Sequence, residues 1–277
     1  METVKITASE VNALRKQTGT GMMDCKNALV EANGDLQKAV EILRKKGQKV
    51  AAKRSDRDAS EGMALATVAP DNKRAVVIAL NCETDFVAKN DDFTSTTKSI
   101  LDLAVEKNPA SLDELLALDL NGMTVAEVIV ETTGRTGEKV ELSAYTVVTG
   151  ETVVAYNHPG NMIASVVALT KAGYENSARD VAMQVAAMAP IALNRDGVDA
   201  ETVAKEIEIG KAQAIKEGKP EEMAEKIAVG RLNKFFKENT LLEQAFIKDN
   251  KMSIEKYLQS QDPDLTVLGY KRVALAN

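Results

Sequence analysis

The sequence predicts an α+β protein, in which an N-terminal three-helix unit precedes a duplicated α+β core that carries a protruding antiparallel helical hairpin. Three observations predict this class: glycine turns separate helical patterns at the start of the chain, an order of hairpin, strand and helix occurs twice, and two amphipathic segments flank a Gly-Lys-Pro turn. We divide the chain into an N-terminal helical domain (1–55), core subdomain N (56–140) and core subdomain C (141–277), with the hairpin inserted at about 195–240.

The first 55 residues contain start and stop signals for three short helices. Thr7 and Glu10 match a capping box, the Thr-Gly-Thr-Gly turn at 18–21 ends the first helix, and Asp35 is placed to cap the third. Such a unit has little core of its own and commonly binds another protein. The polar, basic segment 48–60 either extends the third helix or forms a solvated connector, and we favour the connector.

Met22 and Met23 are adjacent, so both cannot face one helical core. Both could still fill irregular gaps between helices, because methionine adapts to such spaces. The alternative is that one of them is exposed, where it would suit a contact with a protein.

The remainder of the chain alternates between strand and helix patterns. Predicted strands lie at 63–68, 75–80, 142–148, 152–156, 162–169 and 265–274. Predicted helices lie at 91–105, 111–118, 125–132, 177–188 and 253–259, with the paired helices of the hairpin at 199–237. The strands at 142–148 and 152–156 are expected to form a hairpin that opens the second unit, and each sheet is expected to have one face covered by helices.

The stretch from Asn81 to Asn90 is the corner between a buried strand and a helix, and it places the large aromatic Phe86 directly after a carboxylate, Asp85. One interpretation is local: Thr84 or Asp85 caps the helix and Phe86 folds back as a hydrophobic staple. The other is that Phe86 protrudes as a wedge beside the carboxylate.

Composition excludes several classes of function. The net charge is −6 and the pI about 5.2, so no global basic field favours nucleic acid or a membrane, and we predict neither as a partner. His158 is the only histidine, which excludes a multi-histidine metal site. Its loop position is compatible with an ordinary exposed side chain, a partner contact or, least favoured, a catalytic base.

Motifs for covalent chemistry are missing as well. The sequence has no phosphate-binding glycine loop, no C-x-x-C pair and no H-E-x-x-H. Cys25 and Cys82 lie far apart and fit reduced cytosolic thiols. No signal-peptide core begins the chain. We expect a cytoplasmic protein that is not an enzyme and that uses no cofactor or metal.

Two stretches resemble the signature motifs of the translation elongation factor Ts family, Leu14 to Leu29 and Thr84 to Asn90. The resemblance covers essentially the whole chain. It implies a nucleotide exchange factor for elongation factor Tu, a GTPase, whose GDP is released when magnesium and phosphate contacts are displaced. Longer family members carry a further C-terminal module after the last core strand, so contacts made by that module are expected to be absent or replaced here.

The resemblance also implies which residues bind the partner. It implies that the N-terminal domain resembles a ubiquitin-associated domain and docks on the GTPase domain through Leu14, Arg15, Thr18, Gly19, Met22 and Met23. It assigns the nucleotide-displacing contact to Thr84, Asp85, Phe86, Val87, Ala88, Lys89 and Asn90, and a contact in subdomain C to His158. A ubiquitin-associated-like scaffold without exchange activity is the alternative function. Homodimerisation through the helical hairpin or the core is left open, and no function is assigned to 106–140.

Overall fold

A computed structural model describes residues 5–275, in which a three-helix N-terminal domain leads into two facing β-sheets with helices on their outer sides. The helices are α1 Ala8–Thr18, α2 Met22–Glu31, α3 Leu36–Arg54, α4 Asp85–Ala88, α5 Asp91–Lys107, α6 Leu112–Ala117, α7 Val125–Thr136, α8 Glu175–Met188, α9 Ala200–Lys216, α10 Glu221–Asn239 and α11 Ile254–Gln261. The strands are β1 Glu61–Val68, β2 Arg74–Cys82, β3 Asp119–Leu120, β4 Met123–Thr124, β5 Glu141–Thr149, β6 Thr152–Asn157, β7 Ile163–Leu169, β8 Ala245–Phe246, β9 Asp249–Ser253 and β10 Val267–Ala274.

The three predicted N-terminal helices are confirmed, and so is the capping box. The Thr7 backbone N–H donates to Glu10 Oε2 at 2.7 Å, and the Glu10 N–H donates to Thr7 Oγ1 at 3.3 Å. The connector predicted at 48–60 is wrong for its first half, because α3 continues to Arg54. This segment has no proline to interrupt the hydrogen-bond ladder, and α3 packs against α7 at Gly47, just before it.

The core consists of two antiparallel three-stranded sheets, ordered β1-β2-β5 and β10-β7-β6. The faces that the sheets turn to each other carry small apolar side chains: Ala64, Ala66, Ala75, Val77, Val148, Val153, Ala164, Val166 and Ala168. Larger side chains on the opposite faces pack under α5, α6 and α7 in the first unit and under α8 and α11 in the second. The prediction that helices cover one face of each sheet is therefore confirmed.

The hairpin predicted between 142–148 and 152–156 is wrong. β5 pairs with β2 in the first sheet, and β6 begins the second sheet by pairing with β7. Gly150 crosses from one sheet to the other, and an added Cβ there would lie 2.9 Å from Ala168 Cβ, so the crossing is tightly packed. Each unit therefore consists of two strands, helices and a closing strand, and the sheets divide at Gly150 instead of at the expected boundary after 140.

The predicted antiparallel hairpin of α9 and α10 is present, with its turn at 217–220. The two helices meet mainly through small side chains. Small residues are buried between the helices, chiefly Gly210, Ala214 and Ala228, whereas Ile215 and Met223 are about half exposed. No helix within residues 5–275 is both long and apolar enough to cross a membrane.

Candidate functional site

The corner at 81–90 is built from two successive capped helices. Thr84 is extended (φ −128°, ψ 154°), and its Oγ1 accepts from the Val87 N–H at 3.4 Å, which caps the single-turn helix α4. Asn90 Oδ1 then accepts from the Asp92 N–H at 2.8 Å and caps α5. The chain therefore changes direction twice after β2, at the start of α4 and at the start of α5. Phe86 lies in α4.

Phe86 is the most exposed large apolar side chain in the described part of the chain, at 83%. The hydrophobic staple predicted for it is wrong, because Val87 and Ala88 are the α4 side chains that pack into the core. The buried aromatic of this region is Phe93 on α5, which is 1% exposed. Leaving a phenylalanine in water forgoes roughly 1.5–3 kcal/mol of burial free energy. The protruding wedge is the arrangement that the structure adopts.

Asp85 beside the ring is paired within its own helix. Lys89 Nζ donates to Asp85 Oδ2 at 2.6 Å, four residues along the chain. This hydrogen bond lowers the pKa of Asp85 and raises the pKa of Lys89. Because its pKa is lowered, the Asp85 carboxylate is ionised at neutral pH, and since its side chain is half exposed it is available to an external donor that can compete with Lys89.

Two carboxylates, those of Glu83 and Glu138, connect the corner to neighbouring segments of the chain. Glu138 accepts from the Thr84 N–H at 3.0 Å and from Thr84 Oγ1 at 2.6 Å. Glu83 accepts from Arg54 Nη1 through both carboxylate oxygens, each at 2.8 Å, and from the Lys139 N–H at 2.6 Å. Burial raises the pKa of Glu83, but the Lys139 N–H and Arg54 more than offset this, so its pKa is lowered overall.

These supporting residues were not found by sequence reasoning. Arg54 and Glu138 lie 29 and 54 residues from their partners, and nothing in their local patterns indicates that they meet at the corner. Cys82 directly precedes Glu83 in the chain, and its thiol donates to the Thr84 carbonyl at 3.2 Å. Burial and then the charge of Glu138 raise the pKa of Cys82 to about 12, so the thiol stays protonated and serves packing.

The residues singled out in the N-terminal domain divide between its surface and its core. Met22 and Met23 are 53% and 65% exposed, so both of them are open, where the sequence predicted one. Arg15 and Gly19 are exposed as well. The side chains of Leu14 and Thr18 are buried, and Thr18 Oγ1 donates to the Leu14 carbonyl at 2.9 Å. Leu14 and Thr18 therefore lie in the interior of the N-terminal domain, beneath its exposed residues.

His158 lies in the exposed loop after β6, and its Nδ1 is 3.1 Å from the Tyr156 hydroxyl. Within residues 5–275, no hydrogen bond directly joins His158, the methionine pair and the corner to one another. No group of three or more His, Cys, Asp and Glu side chains in the same part of the chain could hold a metal ion. The candidate residues therefore lie on three separate parts of the surface: the corner, the N-terminal methionine pair and the loop after β6.

The family model described as Elongation factor TS matches residues 83–277, a range that begins inside the corner. The chain belongs to the elongation factor Ts family. Its curated relatives agree over nearly their full length. It is 54% identical to elongation factor Ts of Christiangramia forsetii over 273 residues, which cover 98% of this chain and 99% of the relative. It is 54% identical over 272 residues to the Flavobacterium psychrophilum protein of that name, with 98% of each chain covered.

The family therefore extends to the N-terminal domain, which the matched range of the family model does not include. Elongation factor Ts of Porphyromonas gingivalis is likewise 50% identical over 271 residues, covering 98% of each chain. This member of the family is thus a translation elongation factor with the α+β architecture described above.

Proposed function

We propose that this protein accelerates the release of GDP from elongation factor Tu, so that GTP can bind, and that Phe86 is the group that loosens the nucleotide site. The observation that carries the proposal is the 83% exposure of Phe86 on a corner whose Thr84 is held by half-buried hydrogen bonds to Glu138. The proposal also rests on membership of the elongation factor Ts family.

The physics of the partner's site explains why a wedge is sufficient. A bound nucleoside diphosphate is held mainly through phosphate contacts and through magnesium, which offsets the phosphate charge. Displacing the ligands of magnesium or the backbone that cradles the phosphates weakens that hold. The Phe86 ring can do this by packing between elements of the partner, since it exposes apolar area that gains free energy when buried.

Asp85 contributes charge at the same place. Its carboxylate is ionised, so it can accept hydrogen bonds from the partner in place of Lys89 or repel a phosphate oxygen. Neither residue forms a covalent bond in this mechanism. Exchange is then a coupling free energy: the factor lowers the affinity for nucleotide and nucleotide lowers the affinity for the factor by the same amount.

The remaining surfaces would hold the partner while the corner acts. Met22 and Met23 offer two adjacent, flexible apolar side chains that suit a protein interface. His158, in its exposed loop, is a candidate contact from the second unit of the core. These contacts set affinity, whereas Phe86 and Asp85 set the rate of release.

The test is to substitute Phe86→Ala and measure release of a fluorescent GDP from elongation factor Tu by stopped flow. We expect the maximal release rate to fall about tenfold or more, equivalent to about 1.4 kcal/mol or more. The thermal unfolding midpoint should be unchanged, because the ring is 83% exposed. Leu268→Ala, which truncates an apolar side chain 55% exposed on β10, is the matched control and should leave the rate unchanged. A wild-type rate in Phe86→Ala would remove Phe86 from the mechanism.

A further inference from the structure

The pairing of β2 with β1 and with β5 ends inside the corner, at Cys82 and Asn81. Asn81 pairs with Glu141 on β5 and Cys82 pairs with Glu61 on β1, and the ladder ends there. Glu83 and Thr84 follow outside the ladder, with Glu83 in a bend and Thr84 in extended backbone. The Thr84 backbone N–H donates to Glu138, and the Glu83 carboxylate accepts from the Lys139 N–H as well as from Arg54. Glu138 and Lys139 lie just before β5.

The bonds run in both directions between the two segments. The Glu83 carboxylate accepts the backbone N–H of Lys139, and the Glu138 carboxylate accepts the backbone N–H of Thr84. We call this reciprocal pair, together with the Glu138 bond to Thr84 Oγ1, the carboxylate clasp. It joins the segment after β2 to the segment before β5, beyond the last ladder pair. It also holds Thr84, the N-cap residue at which α4 begins.

We propose that Glu138 is a positioning residue: by holding Thr84, it sets the start of α4 and with it the direction in which Phe86 is presented. This inference rests on the proposed function, which assigns the wedge role to Phe86. Among residues 5–275, the hydrogen bonds of the Glu138 carboxylate go to Thr84 and none goes to Asp85, Phe86 or Lys89, so we infer that it acts through Thr84.

Two hydrogen bonds that share the Thr84 hydroxyl explain how Glu138 can set the start of α4. The Thr84 hydroxyl donates its single hydrogen to Glu138 at 2.6 Å, which leaves the oxygen lone pairs free. That same oxygen accepts from the Val87 N–H and caps α4. Glu138 thus fixes the rotamer of Thr84, and Thr84 fixes the helix whose first turn contains Phe86.

Glu138 is used for this purpose and for no ion pair in the described part of the chain. The nearby cations are engaged elsewhere: Arg54 binds Glu83 and Lys139 binds Glu141. Glu138 accepts hydrogen bonds from both the backbone N–H and the hydroxyl of Thr84. Two charge-assisted hydrogen bonds to one residue are suited to orienting that residue.

The substitution Glu138→Gln tests the assignment. The amide keeps the size of the side chain, but it has one acceptor oxygen and cannot accept both Thr84 donors on separate oxygens. We expect amide hydrogen exchange at residues 84–88 to become faster in the free protein. We expect the maximal rate of GDP release to fall about tenfold, equivalent to about 1.4 kcal/mol, while the half-saturating concentration of the factor stays the same.

Glu141→Gln is the matched control, since it removes a carboxylate three residues away that pairs with Lys139 and does not contact Thr84. It should leave both readouts unchanged. The double variant Glu138→Gln with Phe86→Ala should release GDP no more slowly than Phe86→Ala alone, because the wedge through which Glu138 acts is already gone.

Faster exchange at 84–88 together with a lower maximal rate and a non-additive double variant would support the positioning role. Unchanged hydrogen exchange in Glu138→Gln would overturn it, and so would a wild-type release rate or an additive double variant. If wild-type protein fails to accelerate GDP release, the proposed function fails separately, and the hydrogen-exchange comparison still decides whether Glu138 holds the corner.

Discussion

At the scale of single residues, Glu83 joins three parts of the chain, since its carboxylate binds Arg54 at the end of α3 and the backbone N–H of Lys139. Its pKa lies below the ordinary value of 4.5, because those two donors outweigh the effect of burial. A carboxyl whose folded-state pKa is lowered adds stability above its unfolded pKa, and the contribution disappears as the pH falls through the folded pKa.

We therefore predict that Glu83→Gln lowers the free energy of unfolding by roughly 1–3 kcal/mol at pH 7, the range for lost hydrogen bonds to a charged group. The deficit should shrink towards pH 3, as the pH falls towards the lowered folded-state pKa and the wild-type carboxyl begins to take up a proton. Urea unfolding at the two pH values measures it. Glu151→Gln, which loses only a highly exposed pair with Lys73, should show little change at either pH. An equal deficit at both pH values for Glu83→Gln would contradict this account.

How much of the corner is predictable differs from residue to residue. Caps follow from local chemistry, but the prediction that Thr84 or Asp85 caps the helix at 91–105 is wrong, because Asn90 caps α5 and Thr84 caps the separate one-turn helix α4. Whether Phe86 folds back or protrudes could not be decided locally, because both arrangements satisfy the same hydrogen bonds. The deciding fact is that the next helix supplies Phe93 to the core. The role of Glu138 could not be predicted from the sequence, since Glu138 meets Thr84 only when β5 is paired with β2.

At the scale of elements, the α9–α10 hairpin is closed by small side chains instead of large ones. An added Cβ at Gly210 would lie 3.1 Å from Ala228 Cα and 3.2 Å from its Cβ, so the helices approach closely there. At Gly230 on α10, the same Cβ would meet nothing within 4 Å. The two glycines thus have the same intrinsic helix cost and different surroundings.

We predict that Gly230→Ala stabilises the protein by roughly 0.5–1 kcal/mol, because alanine loses less backbone entropy in a helix. Gly210→Ala should instead lower stability, since the Ala228 backbone would have to move to admit the methyl group. Thermal unfolding followed by the helical circular dichroism signal compares them. Equal stabilisation by both substitutions would show that the helices are not in close contact at Gly210.

Element prediction succeeded where the signal was local and failed where pairing was distant. The capping box and the glycine turns identified the N-terminal helices, and the strand patterns identified each long strand. The predicted pairing of β5 with β6 was wrong, because an apolar pattern identifies a strand but does not determine which strand lies beside it. A three-residue link between two strands favours a hairpin, yet the link at Gly150 joins two different sheets.

At the scale of the whole molecule, the N-terminal domain is attached to the core by packing as well as by its chain connection. α3 lies along α7, and the helices come closest where Gly134 faces Gly47: a Cβ added to Gly134 would lie 2.5 Å from Gly47 Cα. A few residues further on, Arg54 binds Glu83. The domain with the two exposed methionines is thereby held in a fixed relation to the corner that carries Phe86.

The contact is asymmetric, and this allows a sharp test. A Cβ added to Gly47 would be 3.5 Å from Gly134 Cα and from the Val130 carbonyl, which is ordinary contact, whereas the Cβ at Gly134 would overlap backbone. We predict that Gly47→Ala is neutral or stabilising by up to roughly 1 kcal/mol, and that Gly134→Ala is destabilising by roughly 1–3 kcal/mol.

Stability alone would not reveal whether the attachment matters to exchange, so both variants should be followed by amide hydrogen exchange across residues 47–54 and by GDP release from elongation factor Tu. Because Gly134→Ala forces α3 away from α7, it should speed hydrogen exchange at the end of α3 and raise the factor concentration needed for half-maximal release. Gly47→Ala should leave both unchanged. If Gly134→Ala loosened α3 without altering that concentration, docking of the N-terminal domain and action of the corner would be independent, and the fixed relation between them would serve stability alone.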